Sequence, residues 1–185
     1  MSKMLRKLVA EPATPFVAID FETADYQPDS ACAVALVRVE NMQIVDRRVT
    51  LLRPPRRHIV FTHIHGITWP DVAAAPTFAE AWPDLSRILD GAEYLVAHNA
   101  SFDHGVLSAC CFLAGISFPT QPFECTVRLA RKMWRLPTNK LPSVCSHLQI
   151  PLQHHDAGSD AEACARIVLA AAEAMRAKAA AVGDT

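Results

Sequence analysis

Two carboxylates stand one residue apart in the stretch FVAIDFETAD (residues 16–25), where Phe16 to Ile19 otherwise spell an apolar strand. Alternate residues of a strand project to one face. Asp20 and Glu22 therefore point together, with Cα atoms about 6.5 Å apart from the strand rise. Like charges so placed repel, and burial sharpens the conflict. A divalent cation held between them would remove it. The pair alone carries little information: with 19 acidic residues in 185, about two such pairs are expected by chance.

Two further stretches add to it. LVAHNASFDHGVL (95–107) leaves a strand and enters a helix, so His98 and Asn99 fall at the strand end, where open α/β sheets place ligand sites. Ser101 suits a helix N-cap, and Asp103 lies in the first turn, where complementing the helix dipole is the alternative to a chemical role. HHDAGSDAEACARI (154–167) opens the last helix, with Asp156 as its natural N-cap and Asp160 one turn further in. Ala157, Ala161, Cys164, Ala165 and Val168 supply its apolar side. His155 lies in the loop five residues before Asp160. A histidine in a loop can move while an aspartate within a helix is fixed, a division that suits a proton acceptor and a metal ligand.

The elements that must position these groups follow from periodicity. Strands are expected at Phe16–Thr23, Ala31–Glu40 and 43–53, with joins short enough for an antiparallel meander. Residues 54–76 are rich in Pro and His and suit a loop with a short helix. A helix over 77–89 is marked by a T-x-x-E capping box at Thr77 and Glu80, contains Pro83 as a kink site and closes at Gly91. Residues 94–98 make a fourth strand, 102–113 a helix stopped by Gly115, 126–135 and Leu141–Leu148 two shorter helices, and 157–181 a long Ala-rich helix. This order predicts an α/β fold with a mixed sheet, a three-strand antiparallel meander leading into parallel strands flanked by helices. One domain is expected over 13–177, with 1–12 a flexible N-terminal arm and 178–185 a loose tail.

The chain is 51% hydrophobic with a net charge of −1 and a pI of about 6.7. That suits one globular domain and excludes nucleic-acid binding through bulk charge, leaving local basic patches. Arg128, Arg131, Lys132 and Arg135 fall at i, i+3, i+4 and i+7 on one helix face, and Arg53, Arg56, Arg57 and His58 form a second cluster. Either suits a phosphate backbone; a solvated surface is the alternative. The six cysteines include no C-x-x-C pair and sit among apolar residues, as reduced core side chains of a cytoplasmic protein would. His63 and His65 resemble a metal-binding pair, but no nearby partner completes a zinc site. MSKMLRKLVAEP has no apolar segment of a secretory signal, and no run is long enough to span a membrane. No polymerase domain or long tethering tail is visible, so a freestanding enzyme is expected.

The motifs D-F-E-T, H-N-A-S-F-D and H-D-A-G-S-D-A, with H-G-I-T at 65–68, resemble in order and spacing the DEDDh subgroup of the DnaQ-like 3′–5′ exonucleases. That family includes the proofreading exonuclease subunit of bacterial DNA polymerase III and ribonuclease T, and the resemblance covers about residues 14–172. It implies a ribonuclease H-like fold, with Asp20, Glu22, Asp103 and Asp160 as the metal site for two divalent cations, Mg²⁺ with Mn²⁺ as a substitute. It implies His155 as general base, its H-x-x-x-x-D spacing selecting His155 over His154. The implied reaction is metal-dependent hydrolysis from the 3′ end to nucleoside 5′-monophosphates, with DNA the leading substrate. The implied partners are a single-stranded or frayed 3′ end and a DNA polymerase, with no membrane.

The resemblance places Ile64 and His65 beside the base and sugar of the terminal nucleotide, and Thr23 at the sugar through its backbone. Asn99 at the strand end is a further candidate contact. Phe102 can wedge against a base, since aromatic stacking tolerates any sequence; packing in the core is its alternative, and capping the turn before Gly66 is that of His65. The sequence departs from the family after D-x-E, where many members have T-T-G and here Thr23 is followed by Ala24 and Asp25. Asp25 sets an extra negative charge near a phosphate path. Two other readings stay open: a 3′–5′ exoribonuclease, which shares these motifs, and a non-catalytic nucleic-acid-binding or polymerase accessory module, which has no need of four carboxylates and a histidine.

Overall fold

The computed structural model describes residues 2–183. Its centre is a five-stranded sheet of order β3-β2-β1-β4-β5. β1 (Phe16–Thr23), β2 (Ala31–Glu40) and β3 (Gln43–Leu51) form the antiparallel meander, and β4 (Tyr94–Ala97) and β5 (Phe123–Cys125) add in parallel beside β1. The predicted fold class is thus the observed one. The third strand stops at Leu51, two residues short of the expected limit. β5 goes unannounced in the sequence because three residues flanked by loop carry too little periodicity to register.

The parity of β1 sorts the core into two layers. Val17, Ile19 and Phe21 face α4 (Phe78–Leu85), a following 3₁₀ turn (Ser86–Leu89) and α5 (Ser101–Ala114). Phe16 and Ala18 face the other way, against α1 (Lys3–Ala10) and the long α8 (Ala157–Gly183). α8 meets the sheet through Ala157, Ala161, Ala165, Ala171 and Ala172, opposed by Ala33 and Ala35 of β2. Small side chains on both surfaces bring helix and sheet close together, so the Ala-rich composition of the last helix is a packing requirement of this face.

The capping box of α4 forms as expected: Glu80 N–H donates to the Thr77 hydroxyl at 3.4 Å and Thr77 N–H to the Glu80 carboxylate at 2.7 Å. Past Pro83 the helix runs only to Leu85 before tightening into the 3₁₀ turn, and Gly115 caps α5 in the left-handed conformation. Residues 54–76 hold two single-turn helices, α2 (Thr62–His65) and α3 (Trp69–Val72), where one was expected. α6 (Thr126–Met133) and α7 (Leu141–Leu148) complete the fold.

The expected loose N-terminal arm is not what the structure shows over Lys3–Ala10. Met4, Leu5 and Leu8 are buried against the α8 layer, and Ser2 caps the helix by accepting from Leu5 N–H. Helix α8 likewise continues through most of the expected tail, and residues 184–185 lie outside the described residues.

Candidate active site

β1 and β4 are parallel, so their carboxyl ends open on the same edge of the sheet, and the start of α8 arrives there. Open α/β sheets bind ligands at such an edge. Asp20 and Glu22 project from β1 on the α8 side. Their carboxylate oxygens and one of Asp160 all lie within 4.8 Å of one another. Asp103, in the first turn of α5, is buried behind them and accepts at Oδ1 from Phe21 N–H at 3.1 Å. Asp156 caps α8 by accepting from Ser159 N–H at 2.8 Å, as its position predicted. Gly158 keeps that first turn close: a Cβ there would meet Val49 Cγ2 at 3.1 Å and the Asp156 carboxylate at 3.2 Å.

Crowding and burial raise the affinity of these carboxylates for protons. Burial, then Asp103, Asp160 and Glu22, drives Asp20 well above the ordinary carboxylate range. Glu22 is pushed up to about 8 by burial, with Asp160 and Asp103 adding to it. Burial pushes Asp103 up to about 7 and raises Asp160 too. Asp160 Oδ1 is buried without a hydrogen-bond partner. A divalent cation answers both facts, since it takes an unshared carboxylate oxygen and cancels the repulsion. An all-oxygen donor set suits Mg²⁺ or Mn²⁺ rather than zinc. The residues present therefore fit a divalent-metal site.

The two adjacent histidines divide the space around Asp160. His155 has its backbone N–H on Asp160 Oδ2 at 3.2 Å, while its ring borders a pocket with Glu22, Thr23, Ile64, His65 and Phe102. His154, which the family spacing passed over as the base, nevertheless reaches the same carboxylate. Its Nδ1 donates to the same Asp160 oxygen at 2.9 Å, and its ring stacks on His155 with centroids 3.8 Å apart. The cause is the backbone: His155 adopts a left-handed φ of +67°, which turns the chain and keeps both rings at the end of α8. Burial and the neighbouring His154 hold the His155 imidazole below the ordinary histidine value.

The pocket beside His155 gathers four of the five predicted substrate contacts. Thr23, Ile64, His65 and Phe102 line it together with Phe61. Phe102 is 45% exposed and is not a core residue. His65 spends both ring nitrogens inside the protein: Nε2 donates to the Thr23 carbonyl at 3.2 Å and Nδ1 accepts from Ile67 N–H at 3.1 Å. It thus ties α2 to the end of β1 and offers only its ring to a ligand. Asn99, the fifth, sits apart, with a left-handed φ of +65°, in the groove on the far side of Asp20. Ser101 is not an N-cap; its hydroxyl donates to the Asn99 side chain at 3.3 Å.

Phe61 and Tyr26 were not among the residues the motifs singled out. They pack edge to face at 4.8 Å at the pocket rim, Tyr26 being 80% exposed. The signal for Phe61 was its place three residues before Ile64, at the N-cap of α2. The departure at Asp25 is also accounted for. Arg56 grips Asp25 through two donors at 2.7 and 3.2 Å and grips Asp29 as well, holding both carboxyls below their usual range. The second basic cluster is largely spent this way: Arg56 is paired, Arg53 lies 3.8 Å from Glu80, and Arg57 covers the Trp69 ring.

A five-stranded mixed sheet carrying buried carboxylates and a loop histidine at one edge describes a metal-dependent nuclease of the ribonuclease H-like class. Comparison with known proteins agrees. A family model described as an exonuclease matches residues 17–168. A PolC-type DNA polymerase III of Thermotoga maritima is 32% identical over 166 residues, which span 87% of this chain and 12% of that protein. The 3′–5′ exonuclease DinG of Bacillus subtilis is 33% identical over 167 residues, 87% of this chain and 18% of DinG. The chain therefore spans less than a fifth of the length of these curated relatives. Among solved structures, exonuclease X in complex with 5′ overhanging duplex DNA superposes with a TM-score of 0.65 at 26% identity, over 84% of this chain and 89% of that one. The nuclease domain of 3′hExo, a DEDDh family member, gives 0.76 at 18% identity, over 89% and 94%. The chain belongs to this 3′–5′ exonuclease family, whose members use divalent metal ions.

Proposed function

We propose that this chain is a 3′–5′ exonuclease that hydrolyses the terminal phosphodiester of a nucleic acid and releases nucleoside 5′-monophosphates. The observation that carries this reading is the meeting of the Asp20, Glu22 and Asp160 oxygens within 4.8 Å at the wall of a pocket that also holds His155. Asp20, Glu22, Asp103 and Asp160 would hold two Mg²⁺ ions, Mn²⁺ substituting, with the first two and Asp160 meeting in front of the buried Asp103. Bound there, divalent cations supply Lewis-acid stabilisation of the charge that develops on the phosphate and the leaving 3′-oxygen.

The rest falls to the protein's own side chains. Phe102, Ile64 and Phe61 give the terminal nucleoside an apolar seat, and the Thr23 backbone lies along its sugar. His155 is neutral near pH 7, because burial and His154 depress its affinity for a proton. Its imidazole is therefore free to take the proton of the attacking water. The Arg56 clamp on Asp25 and Asp29 offsets part of the negative charge that would repel an incoming phosphate. DNA is the leading substrate and a DNA polymerase the leading partner, because the similar proteins include PolC-type polymerases and a DNA-bound exonuclease. The six free cysteines, among them five buried thiols that burial pushes up, suit a reducing cytoplasm. Among the described residues no helix is long and apolar enough to cross a membrane.

The test offers three substrates, a single-stranded DNA, a duplex with a mismatched 3′ end and an RNA, each with Mg²⁺, Mn²⁺ or chelator. Nucleoside 5′-monophosphates from the DNA strands, with Mg²⁺ or Mn²⁺ alone, are expected. Faster release from RNA would reassign the substrate, and internal cuts would overturn the exonuclease reading.

A further inference from the structure

The carboxylates stand between two openings, and the mechanism above uses only one. The second is a groove of about 530 Å³ that runs from Asp20 past His98 and Asn99 to Arg131, Asn139 and Lys140. It continues through Asn99 and Arg131 into a neighbouring hollow that reaches His104 and Arg128. The two openings differ in chemistry. The His155 side is walled by Phe21, Phe61, Ile64 and Phe102. The groove has Val127 and Leu141 in its wall but adds the cations of Arg131 and Lys140, which the other side lacks, with two amides and the Thr138 hydroxyl, groups that suit a phosphate and sugar path.

The cations of this lining are not spoken for. Arg128, Arg131 and Lys140 form no ion pair among the described residues, whereas Arg38, Arg47, Arg56 and Arg166 each hold a carboxylate. Asn139 Oδ1 is buried and lacks a hydrogen-bond partner, while its backbone carbonyl accepts from His98 Nε2 at 3.0 Å. That bond fixes the backbone at Asn139, while its Oδ1, an acceptor, takes no part in holding a phosphate. The sequence stripe Arg128, Arg131, Lys132, Arg135 is split by the fold. Arg131 lines the groove beside Asp20 and the hollow next to it; Arg128 lines that second hollow and also a separate one with Ser2, Glu124 and Lys132. Lys140, at the N-cap of α7, lines the groove together with Arg131.

Resting on the exonuclease reading, we infer that Arg131 and Lys140 are positioning residues that grip the phosphodiester on the 5′ side of the bond to be cut. Asn139 and Asn99 line the same path. With the terminal nucleoside in the aromatic pocket and the scissile phosphate at the carboxylates, the remaining strand leaves by this groove and on toward Arg128. The chemistry recognised is a backbone phosphate of a strand at least two nucleotides long. A free nucleotide carries phosphate too, and the test separates the two sources.

The experiment measures equilibrium binding of a fluorescein-labelled ten-nucleotide thymidine strand, with Ca²⁺ in place of Mg²⁺, as a function of salt. Thymidine 5′-monophosphate is measured in parallel by displacement, and both are repeated on Arg131→Gln/Lys140→Gln. Both substituted side chains lie at the surface of the groove, so the variant keeps its fold, which its unfolding temperature verifies. The double variant is expected to bind the strand at least tenfold more weakly. Its slope of log affinity against log salt should fall by about 1.4, some 0.7 for each phosphate of the single strand that is no longer neutralised. Its affinity for the monophosphate should stay within twofold of the wild type. An unchanged strand affinity and salt slope would overturn the inference, as would an equal loss for the monophosphate, which would assign the two cations to the terminal phosphate. Hydrolysis separates this failure from that of the parent reading. The predicted binding pattern in a protein that cuts nothing with any divalent ion would leave the groove standing and remove the exonuclease. Normal cutting without the pattern would do the reverse, and a wild type that binds no strand would sink both.

Discussion

His154 and His155 touch the same Asp160 oxygen by different means, one through its ring and one through its backbone. Only His155 turns its ring into the pocket of Ile64, His65 and Phe102. His155→Ala should therefore lower turnover by about 10²–10⁴, the usual worth of a general base, with substrate affinity kept. His154→Ala should leave turnover at saturating metal little changed and raise only the divalent-ion concentration needed for half activity. Rate measurements at saturating metal decide between them, and the larger loss in the His154 variant would exchange the two roles. His98 gives a stability prediction with a definite sign. Burial lowers it from 6.5 to about 4 while its ring is held between the Thr126 hydroxyl and the Asn139 carbonyl. The unfolded chain then binds more protons than the folded one between those values, so stability falls as pH drops from 6.5 toward 4. The loss is at most ~1.4 kcal/mol per pH unit. Denaturant unfolding of wild type and His98→Asn across that window should show the steeper acid loss in the wild type; parallel curves would contradict it. At this scale the carboxylates were legible because strand parity and helix position fix where they point. The contact of His154 was not, because it depends on a left-handed φ at His155 that no side-chain pattern announces.

At the scale of elements, the site depends on how closely α8 lies on β1 and β2. Ala161, one residue after Asp160, is fully buried in the layer that holds Ala33 and Ala35. Ala161→Leu should cost about 1–3 kcal/mol through overpacking. It should also move Asp160 away from Asp20 and weaken divalent-ion binding. Thermal unfolding and a Mn²⁺ titration check the two effects, and a stable variant with unaltered metal affinity would show that the close approach is dispensable. The long helix was legible from its alanines and its Asp156 cap, and the meander from its alternation. Helix α1 was passed over although Met4, Leu5 and Leu8 stand at i, i+1 and i+4. One such stripe in eight residues at a chain end becomes stable only by docking, and docking is a tertiary fact.

At the scale of the whole molecule, one sheet edge collects groups that are far apart in the chain. β1 supplies Asp20 and Glu22, α5 Asp103, and the start of α8 Asp160 with its two histidines. The aromatic pocket lies on one side and the basic groove on the other. The groove was the least legible part, since Asn139 and Lys140 belong to a loop whose path the sequence leaves open. The central claim is that these carboxylates act as one metal-dependent hydrolytic centre at a 3′ end. Its most direct test is cleavage of a 5′-labelled single-stranded DNA by wild type and Asp20→Ala, side by side, with Mg²⁺ and with chelator. The wild type with Mg²⁺ should give a ladder of labelled strands shortened one nucleotide at a time. The variant, and either protein in chelator, should leave the strand intact. Undiminished shortening by Asp20→Ala, or by wild type stripped of metal, would contradict the account.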